Sequence, residues 1–496
     1  MKTLKSTLLT LLVISVFSCS KDDDSPNPGN QAPSSFNLIT VPDGTTDVDL
    51  KPTFTWEPAI DPDGDAVSYD VYLDTENPPT TAVASGLSDI TYMPQDNLNP
   101  DDTYYWAVMA KDGNQGETLS NVASFTTKEE IAPIVLDCNS FQSNNNDAIL
   151  LLENRIDGVD YIIDCVIPVE IDLTIEPGVV IEFADAAGMN VKESGSVSAI
   201  GSQSAPITFT ALTKTKGAWK GIISSSESVK NQFDYVTIDY AGGGTLGGNN
   251  ESGSLIFRPG IYFRLNNVSI TNGATNGLKA TWYDYNVEIN NCTITGCDTP
   301  IYAEANVASH ISGGDFTGNT IDAIRLIGDA GSRKIGNSQT WKNLSVPYRI
   351  AESLSIEDGA KFTIEPGVVV EFEDGKGITL DKTFNDGSAL VAEGTPENPI
   401  VFTGVTKAPG AWHSISIRRT SSVQNKIDNV LIEYAGGAGA GGAIEMWVDP
   451  VLSVTNTTFK DVDACALYNR YGPANPNLTE GNNTLENVSG GYMCSE

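Results

Sequence analysis

Leu173–Phe183 reads LTIEPGVVIEF, and Phe362–Phe372 reads FTIEPGVVVEF, nine matches in eleven at an offset of 189. The likeness continues downstream. Pro206–Thr210 (PITFT) returns as Pro399–Thr403 (PIVFT), and Gly217–Ile222 (GAWKGI) returns as Gly410–Ile415 (GAWHSI). Val229–Gly243 (VKNQFDYVTIDYAGG) returns as Val423–Gly437 (VQNKIDNVLIEYAGG). The offset drifts from 189 to 194, as expected when short surface loops absorb insertions between matched blocks. Most of the chain after its first quarter is therefore one module written twice.

Inside each copy runs a shorter period. Ile270, Ile294 and Phe316 lie 24 and 22 residues apart, and Leu278, Ile301 and Ile324 follow at 23 and 23. Polar turns such as Thr271-Asn272-Gly273 and Thr295-Gly296-Cys297 separate them. A period in the twenties signals a solenoid. Its apolar runs, such as Val268-Ser269-Ile270 and Val287-Glu288-Ile289, alternate and are too short for helices. The predicted fold is all-β: a right-handed parallel β-helix of about 15 coils, with the three residues of each series stacked above one another.

The chain has 496 residues, enough for two to four domains, and a formal charge of −35 from 64 acidic and 29 basic residues. That field argues against nucleic acid as a partner, and it disfavours bare polyanions unless a cation bridges them. Residues 1–19 read as a targeting segment: Lys2 and Lys5, then an apolar run from Leu8 to Phe17 too short to span a bilayer. Ser18-Cys19 ends it, and Ser20-Lys21-Asp22-Asp23-Asp24 follows. This resembles a lipoprotein signal of the Bacteroidota surface type. The resemblance implies lipid on Cys19 and an outer-membrane location facing outward. Residues 20–33 are then a flexible acidic tether.

Residues 34–128 read as a separate small β-sandwich, from strands at Phe54-Thr55-Trp56, Tyr69–Leu73 and Tyr104–Val108. Leu98, Pro100 and Tyr104 have the spacing of a tyrosine corner, and the segment resembles a fibronectin type III module. Its Trp56 is expected in the core. Asp61-Pro62-Asp63-Gly64-Asp65 places three carboxylates around a tight turn, so Asp61, Asp63 and Asp65 are candidate calcium ligands; an acidic inter-strand turn is the competing explanation. Calcium is the one cofactor suggested. Residues 129–165 are expected to be linker and solenoid cap. The β-helix proper then spans 166–496, its two modules falling at about 134–330 and 331–496.

Six cysteines remain beyond Cys19, and in an oxidising compartment they permit 15 pairings. Separations of 27 and 29 residues are about one coil, so Cys138–Cys165 and Cys465–Cys494 are expected to pin the solenoid's ends. Cys292 and Cys297 could be bonded to each other or buried as free thiols.

The EPGVV, GAW and YAGG blocks resemble β-helix repeats of bacterial surface proteins, and the fold is that of pectate lyases and polygalacturonases. The resemblance implies extracellular polysaccharide as a partner, and a lyase or hydrolase as the alternative activity. The polygalacturonase motifs are missing: neither His310 nor His413 sits in Gly-His-Gly. Arg258 and Arg264, the nearest candidates for a lyase base, do not match the pectate lyase spacing. The sequence therefore points to a non-catalytic surface protein, with a structural or protein-binding rod as a further alternative. Trp219 and Trp412, repeated with Tyr240 and Tyr434, could stack on sugars or pack loops. Trp282, Tyr283 and Tyr285 lack counterparts in the second copy and are the preferred ligand patch.

Overall fold

The computed structural model describes residues 29–496 apart from 130, 146–147, 156–157, 248–250, 283–285, 329–333, 381–386 and 473. The leader, Cys19, residues 20–28 of the tether, Tyr283 and Tyr285 lie outside them. The chain divides into two compact units, up to Ile131 and from Ala132 onward. Among the described residues no helix is long and apolar enough to cross a membrane.

The first unit is all β. One sheet runs in the order Thr45–Val48, Ala123–Thr127, Thr103–Lys111, Ser68–Asp74, Ala82–Leu87, with Glu117–Leu119 also on Thr103–Lys111. Phe54–Thr55 and Thr91–Tyr92 form a second, two-stranded sheet. Alternation along Thr103–Lys111 sends Tyr104, Trp106 and Val108 inward, where they meet Phe54, Trp56, Val71 and Phe125. The Asn99 amide donates to the Tyr104 hydroxyl at 3.0 Å, the loop-to-tyrosine bond expected from the spacing.

The second unit is a right-handed parallel β-helix. Each coil lays a short strand on each of three faces, and strands on one face pair with the coils above and below. One face is a single sheet of 13 strands, from Val166–Val169 to Thr484–Val488, continuous through both copies of the repeat. At the usual spacing it is about 58 Å long. The other two faces are each divided into a sheet of seven strands and a sheet of six. Coils stack in register. Leu278 lies against Ile301, Ile301 against Ile324, and Ile270 against Ile294. The next rung continues that column, because the Ile294 amide donates to the Asp315 carbonyl and the adjacent Phe316 is buried. The first coil starts earlier than residue 166. Ile134–Leu136 already pairs with Tyr161–Ile163, so part of the expected linker is a rung.

The two copies share this stack but not its phase. After the long sheet, each coil visits a second and then a third face. In the first copy Asp172–Ile175 lies on the second face and Val180–Phe183 on the third. Their counterparts Lys361–Ile364 and Val369–Phe372 lie on the third face and the long sheet. The offset between copies is thus a whole number of coils plus one face. Every face asks the same of a strand, alternate residues inward, so a block can change face without losing its burial.

Corners use buried asparagines. Asn425 accepts from the Leu390 amide at 2.9 Å and donates to the Val451 and Ser422 carbonyls at 3.1 Å. Its counterpart Asn231 accepts from Val197 and donates to Ser226 and Tyr262. Each therefore ties three rungs together. Cys138–Cys165 and Cys465–Cys494 are bonded, whereas Cys292 and Cys297 are free and buried. Burial pushes the Cys292 thiol up to about 12 and raises Cys297 as well.

Two outcomes follow. Asn425→Ala would strand buried amide and carbonyl groups and should cost about 2–3 kcal/mol in urea unfolding, with Asn231→Ala similar. In protein starting after Cys19, a thiol reagent at pH 8 should find no reactive cysteine until denaturant is added, and then two.

Candidate functional site

The repeated aromatics are structural. Trp219 stacks on Phe183 with centroids 4.0 Å apart, and Trp412 on Phe372 at 4.1 Å, both indoles fully buried. Their ring nitrogens donate to the Asp239 and Glu433 carbonyls at 2.8 Å. The glycines of the YAGG block complete the unit. A Cβ on Gly243 would sit 1.5 Å from the Gly217 carbonyl, and one on Gly437 1.8 Å from that of Gly410. The backbones can approach this closely only without side chains. So EPGVV, GAW and YAGG recur together because Phe, Trp and glycine of successive segments form one packed joint. Neither indole is a sugar platform, and Tyr240 and Tyr434 pack partly buried against the same core.

The other expected sites also change meaning. Trp282 donates to the buried Glu251 carboxylate at 2.5 Å, and Arg258 lies 3.4 Å from the same group. Arg264 donates to Gln232 at 2.7 Å. Asp61 is turned into its own turn, accepting from the amides of Asp63 and Asp65 at 2.9 and 3.2 Å. Asp63 accepts from Gln31 and Asp65 from Asn114. Among the described residues no group of three or more histidine, cysteine or acidic side chains is placed to hold a metal. Oδ1 of Asp61 thus caps its own turn, while its buried Oδ2 has no hydrogen-bond partner.

A different group of side chains stands out, on the second face of the second copy. Ile415–Arg418, Gly442–Trp447 and Cys465–Asn469 are consecutive rungs there. Ile415, Ile417, Ile444, Met446 and Leu467 point inward and are fully buried. Alternation therefore turns Ser416 and Arg418, Glu445 and Trp447, and Tyr468 and Arg470 outward, in two columns. In one column the Trp447 indole lies between two guanidiniums, with Arg418 at 4.5 Å and Arg470 at 4.2 Å from the ring centroid. Each such contact contributes about 0.5–2 kcal/mol. Tyr471, exposed, meets the indole edge-on at 6.0 Å. Arg418 also donates to Ser416 at 3.2 Å, and Arg470 pairs with Glu496 at 3.3 Å.

In the other column the carboxylate of Glu445 is nearly buried. It accepts from the Gly441 amide at 2.8 Å and from the Ser414 hydroxyl at 3.4 Å. Ser414 in turn lies 2.7 Å from Nδ1 of His413. This is not a nucleophile triad. The hydroxyl sits between imidazole and carboxylate, fully buried, so it has no approach to a substrate. Desolvation raises the Tyr468 phenol, on the rung next to Glu445.

The first copy supplies a control. By strand pairing, Ile223, Ile256 and Lys279 occupy the places of Ser416, Glu445 and Tyr468. There Ile223 and Ile256 close under Leu246 as a small apolar cluster of their own. Ser225 and Arg258 stand where Arg418 and Trp447 stand in the second copy. The duplicated joint is retained, while the surface beside it differs: Ser416 and Glu445 take the places of the apolar Ile223 and Ile256, and the half-buried Arg418 and Trp447 those of Ser225 and Arg258. Sequence reading missed it because the motif is spread over three rungs; the signal was Arg418-Arg419 and Trp447 breaking an otherwise matched repeat.

The sequence profile of the pectate-lyase-like β-helix domain matches residues 334–444, which include part of this face. No curated protein matches the chain. Among solved structures, a family 28 exopolygalacturonase from Yersinia enterocolitica is 10% identical over 93% of this chain and 99% of its own, with a TM-score of 0.20. Pectate lyase Pel3 from Pectobacterium carotovorum is 11% identical, covering 92% of each chain, with a TM-score of 0.15. Pectate lyase PelI from Erwinia chrysanthemi is 11% identical over 93% of this chain and 100% of its own, at 0.16. Nothing about activity is carried across from these three.

Trp412→Ala should therefore act on stability alone. The expected cost is about 3–5 kcal/mol in chemical unfolding, with ligand retention of the folded fraction unchanged.

Proposed function

We propose that this protein is a surface-anchored recognition module: lipid on Cys19, a short tether, a fibronectin type III-like spacer over 34–128, and a β-helix that binds extracellular polysaccharide or another surface. The spacer holds the solenoid off the membrane. Recognition belongs to the second-copy face carrying Arg418, Trp447, Arg470 and Tyr471. The observation that supports this is divergence between copies: packing residues are kept in both, while Ser225 and Arg258 of the first copy give way to Arg418 and Trp447 in the second, beside Ser416 and Glu445 in the places of Ile223 and Ile256. Flat, partly exposed aromatic and polar groups on a rigid sheet suit binding of an extended chain without chemistry. Glycoside hydrolysis by the usual route uses two facing carboxylates, and Glu445 here is engaged by a backbone amide and a serine.

The test is affinity electrophoresis of the protein from residue 20 onward against a panel of neutral and uronic glycans, with product analysis in parallel. Retardation by at least one glycan with no new reducing or unsaturated ends is expected. Release of such ends would replace this reading by a lyase or hydrolase; no retardation by any glycan would leave a structural or protein-binding rod.

A further inference from the structure

Resting on the glycan-binding reading, we infer that the Arg418–Trp447–Arg470 column recognises a glycan by its oxyanion substituents, carboxylate or sulfate, rather than by its neutral sugar rings alone. The charge balance makes this column unusual. With a formal charge of −35, the molecule repels polyanions at long range, so an anion can be held only by a local concentration of cations within about a Debye length of 8–10 Å. Many basic side chains are spent on neighbours: Lys214 on Glu182, Lys230 on Asp172, Arg325 on Glu373, Arg349 on Glu371 and Lys426 on Glu393. Arg418 is different. Among the described residues its partners are a serine hydroxyl and an indole face, neither of which neutralises it. Arg419 beside it is exposed. Arg470 has one carboxylate partner, Glu496, and that ion pair is half open to water.

Geometry adds to charge. Arg418, Trp447 and Arg470 are on three consecutive rungs, with backbones of the outer two about 9.6 Å apart, and the guanidinium carbons, 4.5 and 4.2 Å from one indole centroid, are at most 8.7 Å apart. Oxyanions carried along one extended strand can therefore meet both forks. The indole between them limits each guanidinium's freedom before the ligand arrives, which lowers the entropy lost on binding. Each fork then presents paired N–H donors to an oxyanion, a geometry lysine cannot offer. Tyr471 and Val448, 61% and 49% exposed, flank the column and offer apolar surface to the C–H face of the sugar. In binding, the ligand oxyanion takes over from Glu496 at Arg470 and fills the open fork of Arg418. The first copy, with Ser225 and Arg258 at these places and Arg258 against Glu251, has no such pair of forks, so the expected stoichiometry is one site per chain.

Three polymers of one backbone test this: dextran, carboxymethyl-dextran and dextran sulfate, in affinity gels at low and at physiological salt. At least one of the two charged polymers should retard the protein, more strongly at low salt, while plain dextran does not. Arg418→Gln with Arg470→Gln should weaken that retardation by about ten-fold or more. Lys214→Gln with Lys230→Gln removes the same charge elsewhere on the solenoid and should leave it unchanged. Arg418→Lys with Arg470→Lys, which keeps charge and side-chain bulk, should fall between; it replaces the glutamine pair as the readout if that pair lowers the melting temperature. Equal retardation by plain dextran, or equal losses in the arginine and lysine pairs, overturns the oxyanion assignment. Failure of both charged polymers overturns it as well. Retention of neutral glycans in the wider panel would then leave the binding reading standing, and its absence there would remove both.

Discussion

A single coil of this solenoid cannot bury its own apolar side chains, and everything else follows from that constraint. Ile270 is sheltered only because Ile294 lies above it, and the same holds for Leu278 beneath Ile301. Stacking also satisfies the backbone, since each strand's donors and acceptors point along the stack to the next coil. The demands of register then reach the corners. Asn231 and Asn425 are buried where the chain turns, each serving backbone groups on the rungs before and after it. Covalent bonds join neighbouring coils as well, at Cys138–Cys165 and Cys465–Cys494.

Duplication gave the chain two copies of one joint and freedom to alter its surroundings. The joint is the Phe–Trp stack with two touching glycine backbones, present at Phe183–Trp219 and Phe372–Trp412. It survives a change of face between copies because it depends on contacts between neighbouring segments rather than on which sheet carries them. Outside the joint, selection could act on each copy alone. Ile223 and Ile256 remain a closed plug, whereas Ser416 and Glu445 at the same places lie beside a half-buried column of two arginines around an indole. Repetition within this molecule thus marks packing, and departure from repetition marks the candidate site.

That rule inverts the most natural inference from the sequence. Trp219 and Trp412 attract attention because they recur, yet recurrence reflects burial. Trp447 and Arg470 have no counterpart of their kind in the first copy and fall in no repeated block. The acidic turn at Asp61–Asp65 was similarly ambiguous: carboxylates in a tight turn serve equally to bind a cation or to accept from their own backbone amides. Which use applies depends on where the carboxylate oxygens point: Oδ1 of Asp61 accepts from the Asp63 and Asp65 amides, while its buried Oδ2 has no hydrogen-bond partner.

By itself, the amino-acid sequence determined the β-helix, its coil period, its duplication and two disulfide pairings, because inward positions of stacked coils must be apolar at a fixed interval and that interval is written in the chain. It could not determine the phase between the copies. Hydrophobic alternation is the same on all three faces, so no residue records which face a strand occupies. Nor could it assemble Arg418, Trp447 and Arg470, which are 29 and 23 positions apart in the chain and become neighbours only when parallel pairing brings successive coils into contact.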